Sequence, residues 1–277
     1  MKKTLIWLLA IVMTLGAAYY QRKTGPTHPR QVRLVLGGKA YDLTLVRSHG
    51  GDGDMPVEVN IPDTAVKGQV IYKRFPTSDP WDTLVMERHG DTLTALLPHQ
   101  PPAGKLAYHI RLVHPSGEVV TETVVARFKG TVPAAILIPH ILFMFAAMLL
   151  STLAGLMALW NVPSYKRYAR ITLVLLLIGG GILGPLVQKY AFGALWTGIP
   201  FGWDLTDNKT LIAIIFWIYA VLAIRKKERR WTVVVAALVL ILVYSIPHSM
   251  FGSTYNYETG DVVQGLLPVL SFLRRRR

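Results

Sequence analysis

The tripeptide Ile-Pro-His occurs twice, ending at His140 and at His248, and each copy lies at one end of an apolar run. Proline removes a helical N–H and leaves the carbonyl four residues earlier without its usual partner, so each copy predicts a kink or a helix end. Such a break would aim both imidazoles into the interior of a helix bundle. The alternative is that Pro-His marks an interfacial helix end whose imidazole bonds water or a carbonyl.

Methionines accompany both histidines. Met144 and Met148 follow His140 at steps of four residues, which places all three on one helix face, and Met250 follows His248 by two residues. Imidazole with thioether suits Cu(I), whereas two imidazoles from neighbouring helices suit haem b. Methionine at helical spacing also fills gaps in a core. The cofactor is unknown from the sequence, with haem b and copper as the candidates. The predicted ligands are His140, Met144, His248 and Met250, with Met148 lining the site.

A polar stretch precedes the third apolar run of the predicted bundle, and we expect it to close this site. Its side chains are those of Trp203, Asp204, Asp207, Asn208 and Lys209. One interpretation is structural, with the aromatic ring anchoring the loop at a membrane interface and Asp207 or Asn208 as the N-cap of the next helix. The functional interpretation is an acid/base or cation-binding cluster that covers the two histidines.

The composition is that of a membrane protein. Hydrophobic residues make up 52% of the 277 residues, and the mean hydropathy is +0.36. The net charge of +14 comes largely from basic clusters beside apolar runs, a topology signal that argues against nucleic acid as a partner. The chain has no cysteine, which excludes disulfides, zinc–thiolate sites and cysteine nucleophiles.

The apolar runs predict the helices of an α + β membrane protein. Residues 1–20 fit a signal-anchor helix, and no small-x-small cleavage site precedes Gln21, which favours an uncleaved anchor over a signal peptide. Residues 131–250 are predicted to form a four-helix transmembrane bundle. Its spans are expected at about residues 132–160, 171–190, 208–225 and 231–250.

Residues 31–130 follow a different pattern, after a linker at residues 21–30. Short alternating runs such as VRLVL, YDLTLV and VEVNI are separated by Gly- and Pro-containing turns, which predicts an antiparallel β-sandwich. The piece that runs from Pro98 into the strand around Tyr108 resembles a strand entry of immunoglobulin-like or fibronectin-like modules. The resemblance implies an immunoglobulin-like fold and implies nothing about function.

The basic loops predict the orientation in the membrane. Residues 165–170 and 225–230, together with Lys2 and Lys3, are expected in the cytoplasm of a bacterium with the chain in its plasma (inner) membrane. The β-sandwich would then be extracytoplasmic, or periplasmic. So would a tail at residues 251–277 with a short interfacial helix whose arginines meet anionic headgroups. A further, distorted crossing that returns these arginines to the cytoplasm is the alternative.

Three functions are compatible with this organisation. The first is an accessory or electron-transfer component with a haem or metal site near the outer leaflet. At 1.5 Å per residue, His140 lies roughly 30 Å from Trp160, and His248 lies roughly 25 Å from Trp231, so the imidazoles have similar depths. The second is a non-catalytic interaction or assembly protein whose sandwich binds another membrane or periplasmic protein. The third is a small-solute transporter, and no motif supports an enzyme.

Overall fold

The computed structural model describes residues 2–248, 250 and 252–263, and these form two compact units. The helical unit comprises the described residues up to 26 and those between 132 and 252. The β unit comprises residues 27–131 and 253–263. The predicted α + β composition is therefore confirmed, with long apolar helices and several antiparallel sheets.

The β unit is built from strands whose side chains alternate between core and solvent. In the strand Met55–Asn60, Met55, Val57 and Val59 are buried, and the residues between them are exposed. The strands are β1 Arg30–Leu36, β2 Lys39–Leu45, β3 Ser48–Gly50, β4 Met55–Asn60, β5 Lys67–Arg74, β6 Asp82–Val85, β7 Glu87–His89, β8 Thr92–Leu97, β9 Lys105–His114, β10 Gly117–Val120, β11 Val124–Lys129, β12 Thr254–Tyr255 and β13 Val262–Val263.

The strands pair into four sheets. The largest sheet contains β3, β11, β9, β5 and β6 in this order, and β10 also pairs with β9. A second sheet contains β4, β8 and β7, and the other two sheets are the hairpins β1–β2 and β12–β13. All pairs are antiparallel except β11 with β3. Leu43, Val57, Leu93, Tyr108 and Phe128 are buried in one cluster, so three of the sheets contribute to one core.

The segment that follows the last helix belongs to the β unit. Arg127 Nη2 donates to the Ser253 carbonyl at 2.7 Å, and Lys105 Nζ donates to Thr254 Oγ1 at 2.6 Å. The Tyr257 hydroxyl accepts from the Lys105 N–H at 3.0 Å and lies 2.9 Å from Gln100 Oε1. Within the described residues, the chain therefore passes between the β unit and the helical unit three times. The tail was predicted to be separate from the sandwich, and most of its predicted interfacial helix, including the terminal arginines, lies outside the described residues.

The docking of this segment is expected to depend on pH through Lys105. Burial lowers the pKa of the Lys105 ammonium to about 8 from 10.5, and repulsion from Arg127 adds to this. Between about pH 8 and 10.5 the folded chain then binds fewer protons than the unfolded chain, so the Lys105 contribution to stability should rise with pH; below pH 8 its cost is complete. Urea denaturation of the full chain in detergent across this range should show the rise, and Lys105→Met should lack it. Equal pH dependence in the two proteins would contradict the assignment.

The helical unit contains five helices in its described part. They are α1 Lys2–Thr24, α2 Ala134–Leu159, α3 Tyr165–Phe192, α4 Leu205–Lys226 and α5 Arg230–Ser245. The first four are long enough and apolar enough to cross a membrane, and α5 is a shorter apolar helix. Helix α3 starts before the predicted span because its amphipathic first turns, with Lys166, Arg167 and Arg170, continue directly into the apolar part.

One face of helix α1 packs against the other helices of this unit. Ile6 and Ala10 are buried in the same cluster as Trp217 and Leu240, and Trp7 makes an edge-to-face contact with Tyr168 at 5.8 Å between centroids. The sequence predicted an anchor helix and a separate four-helix bundle. In the structure the apolar residues of α1 that recur every four positions have a partner surface on that bundle.

Candidate functional site

His140 lies in α2, one residue after Pro139, and the helix continues through this proline. Its Nδ1 is 2.9 Å from the carbonyl oxygen of Gly179 in α3. Since a carbonyl oxygen only accepts hydrogen bonds, Nδ1 must carry the proton and Nε2 keeps its lone pair. Metal-binding histidines are commonly held in this way, by a carbonyl on the other ring nitrogen.

The acceptor carbonyl belongs to a π-helical segment of α3, Leu177–Leu183. Gly179 O also accepts the N–H of Gly184, five residues later, which is the wider hydrogen bond of a π-helix. A Cβ at Gly184 would lie 3.7 Å from His140 Cε1, so the ring packs directly against the widened turn. Such turns inside α-helices are frequent at functional sites.

Met144 fills the space that the glycines of this segment leave open. A Cβ at Gly179 would lie 3.0 Å from Met144 Sδ, and one at Gly180 would lie 2.7 Å from Thr210 Cγ2. The Tyr244 hydroxyl of α5 donates to Met144 Sδ at 3.5 Å. Close packing of α3 against α2 at Gly179 and against α4 at Gly180 therefore accounts for these two glycines. The Met144 sulfur already has a hydrogen-bond donor.

The other predicted methionines have different surroundings. Met148 is 3% exposed in the helical core, whereas Met250 is 42% exposed. The three methionines thus have different environments. Met144 packs against Gly179, Met148 lies in the core, and Met250 lies at the protein surface.

His248 lies beyond the end of α5, so its proline is not inside a helix as Pro139 is. Its side chain is exposed, and Nδ1 is 3.4 Å from Nε2 of Gln21 in α1. Lys209 Nζ of α4 donates to the Ile246 carbonyl at 2.7 Å and is only 5% exposed. The Tyr244 hydroxyl near the end of α5 contacts Met144 of α2, so His140 and His248 lie at the same end of the helical unit. We call this region, with His140, Lys209 and His248, the histidine end of the helical unit.

Asp207 organises the loop before α4. Its Oδ2 accepts the Thr197 N–H at 2.6 Å, the Thr197 hydroxyl at 3.0 Å and the Gly198 N–H at 3.1 Å, and Asp207 is 5% exposed. Asn208 Oδ1 accepts the Ile199 N–H at 2.8 Å. Both side chains therefore accept hydrogen bonds from the backbone of the loop. Asp207 Oδ2, with three donors, has no lone pair left for a ligand.

The N-cap of α4 is Asp204, whose carboxylate accepts from the Thr206 and Asp207 N–H groups. The prediction of Asp207 or Asn208 as the cap is wrong, because the helix starts earlier and both side chains turn back to the loop. Trp203 is 69% exposed, as expected of an interfacial anchor. Of the predicted closing residues, Lys209 is the one that reaches the segment beside His248.

Two contacts at the histidine end were missed by reasoning from the sequence. Gln21 was assigned to a linker, although it continues the pattern of α1, and the Gly179 carbonyl could not be recognised as an acceptor. The run of three glycines was the available signal for the close approach of α2 and α3. In the part of the chain that the structure describes, no group of three or more His, Asp or Glu side chains is placed to hold a metal ion.

Comparison with known proteins gives no relative: neither a protein-family model, nor a characterised protein, nor a solved structure matches this chain.

Proposed function

We propose that this chain is an electron-transfer or accessory component of a bacterial plasma membrane that binds haem b at its histidine end. The four long apolar helices support the membrane setting. The basic loops at residues 165–170 and 225–230 support a cytoplasmic position for the opposite end. The β unit, which we interpret as an immunoglobulin-like sandwich, would then be extracytoplasmic.

The bond from His140 Nδ1 to Gly179 O carries this proposal. It orients the ring and raises the basicity of Nε2, the atom that would bind the haem iron. His248, the second predicted ligand, lies at the same end of the unit, two residues after the Ile246 carbonyl that Lys209 binds.

The surroundings favour haem over copper. Lys209 is a nearly buried cation beside the segment that bears His248, and it would repel Cu(I). The same ammonium would pair with a carboxylate of a haem propionate. Met144 Sδ accepts a hydrogen bond and Met250 is exposed, so the thioethers required for a copper site are not gathered around His140. Haem would supply one-electron transfer, while His140 would hold the iron and Lys209 a propionate.

The test is the absorbance spectrum of gently extracted protein from haem-replete cells, with metal analysis of the same sample. We expect a Soret band that shifts on reduction, and at least about a tenfold loss of haem per protein in His140→Ala. His114→Ala, on the β unit, is the control and should retain the band. Thermal unfolding should show that both variants are folded. Protein without a Soret band, whether it carries copper or no metal, would overturn the proposal.

A second candidate is a non-catalytic interaction protein whose β unit binds another membrane or extracytoplasmic protein. Val85, Gln69, Arg111 and Val120 form one cross-strand row on the outward face of the largest sheet. Val85 is 72% exposed and Val120 is 50% exposed, so each end of this row presents an apolar side chain to a partner. This function would be favoured if Val85→Lys abolished cross-linking to a partner in native membranes while His140→Ala left it intact.

A further inference from the structure

The end of the helical unit opposite the histidine end is strongly basic. Asp204, Asp207 and Glu228 are the acidic residues of this unit in the sequence, and only Glu228 lies near the basic loops. The basic residues there are Lys3, Lys166, Arg167, Arg170, Arg225, Lys226, Lys227, Arg229 and Arg230. The excess of cations is therefore local, and this end requires counter-ions from outside the chain.

The single carboxylate at this end already has a partner. Glu228, in the turn between α4 and α5, forms an ion pair with Lys166 in the first turn of α3. In the described part of the chain, no ion pair involves Arg229 or Arg230. The Arg230 guanidinium lies 5.7 Å from the ring centroid of Trp231, which holds one cation beside an indole.

Two exposed indoles, those of Trp160 and Trp231, lie at the same level at the basic end. A Cβ at Gly155 of α2 would lie 2.5 Å from the Ala237 Cβ of α5, so these residues face each other on antiparallel helices. Trp160 is five residues from Gly155 and Trp231 is six residues from Ala237, both toward the basic end, which is about 8 Å along each axis. Trp160 is 52% exposed and Trp231 is 57% exposed. Indoles so placed are typical of the headgroup level of a bilayer.

We propose that Arg229, Arg230, Trp160 and Trp231 form a binding surface for an anionic phospholipid headgroup. The guanidinium groups pair with the phosphate, for which their planar geometry is suited, and the indoles lie against the glycerol region. Lys166 is occupied by Glu228, which directs the lipid to the side of α5. This inference rests on the proposed membrane setting and not on the haem site.

The experiment is native mass spectrometry of the delipidated full chain in detergent, titrated with phosphatidylglycerol or with phosphatidylcholine. We expect preferential binding of phosphatidylglycerol. The double variant Arg229→Gln/Arg230→Gln should lower its affinity by about thirtyfold, or about 2 kcal/mol, since each basic residue near an anionic surface contributes about 1 kcal/mol. The haem content should not change, which separates this result from a failure of the haem proposal.

The matched control is Arg225→Gln/Lys226→Gln, which removes the same charge from the last turn of α4. It should lower the affinity clearly less than Arg229→Gln/Arg230→Gln does, because Arg230, and neither Arg225 nor Lys226, lies over the Trp231 indole that forms part of the proposed surface. Equal binding of the two lipids, or an equal loss in both double variants, would overturn the site, since diffuse charge would then explain the binding. Thermal unfolding verifies that both variants are folded.

Discussion

Replacement of Gly179 by alanine is expected to destabilise the helical unit by about 1–3 kcal/mol, the usual cost of overpacking a tight core. The new Cβ would lie 2.9 Å from Phe143 Cβ and 3.0 Å from Met144 Sδ. The sulfur can move, whereas Phe143 Cβ is fixed to the backbone of α2. Helices α2 and α3 must therefore separate, which also disturbs the bond from His140 to the Gly179 carbonyl.

Gly181→Ala is the matched control for this prediction. Gly181 belongs to the same π-helical segment but is exposed, and its Cβ would meet its nearest atom, Ile214 Cδ1, at 3.9 Å. Since alanine favours helix over glycine by about 1 kcal/mol, this variant should be neutral or slightly more stable. Thermal unfolding in detergent measures both. Similar losses in the two variants would show that the flexibility of the segment matters, and not the contact between α2 and α3.

Asp207→Ala is expected to have the second large effect, a loss of about 3–5 kcal/mol in the stability of the loop before α4. The carboxylate accepts two backbone N–H groups and one hydroxyl from Thr197 and Gly198 while nearly buried. Hydrogen bonds to a charged group contribute about 1.5–3 kcal/mol each, and the donors left without a partner add a desolvation cost. Hydrogen exchange of residues 197–199 should accelerate accordingly.

The control for this prediction is Asn208→Ala, one position further along α4. Asn208 Oδ1 accepts one backbone N–H, from the exposed Ile199. Its removal should cost only about 0.5–1.5 kcal/mol. If the two variants accelerated exchange equally, Asp207 would have no special role in the loop, and its candidacy as an acid/base group of the histidine end would regain support.

Hydropathy and alternation were sufficient to predict the element types. The four long apolar helices and the antiparallel sheets follow the sequence pattern, because burial of a stripe or of alternate residues is a local property. Helix ends were less accurate. Helix α4 begins at Leu205 because Asp204 caps it, whereas the sequence pattern predicted Asp207 or Asn208 as the cap.

Contacts between segments that are distant in the sequence could not be predicted from hydropathy and alternation. Nothing local marks the hairpin at Thr254 and Val262 as part of the β unit, since its attachment depends on Lys105 and Arg127, more than a hundred residues earlier. The packing of α1 against the other helices could not be predicted either, for the same reason. Its weak amphipathicity suits lipid on all sides, and only a partner surface with room for Ile6 and Ala10 decides otherwise.

The sequence by itself determined that an Ile-Pro-His unit lies at one end of each of two apolar runs, at matched depth, and that glycines occur on a neighbouring run. The tertiary structure decided that the two copies differ. Pro139 is inside α2 and Pro247 is past the end of α5, and only His140 has its tautomer set by a carbonyl. The physical reason is that a tautomer depends on what faces the ring. For His140 that partner is the Gly179 carbonyl, in a π-helical turn of α3. The ring reaches this carbonyl because α2 and α3 pack closely at Gly179.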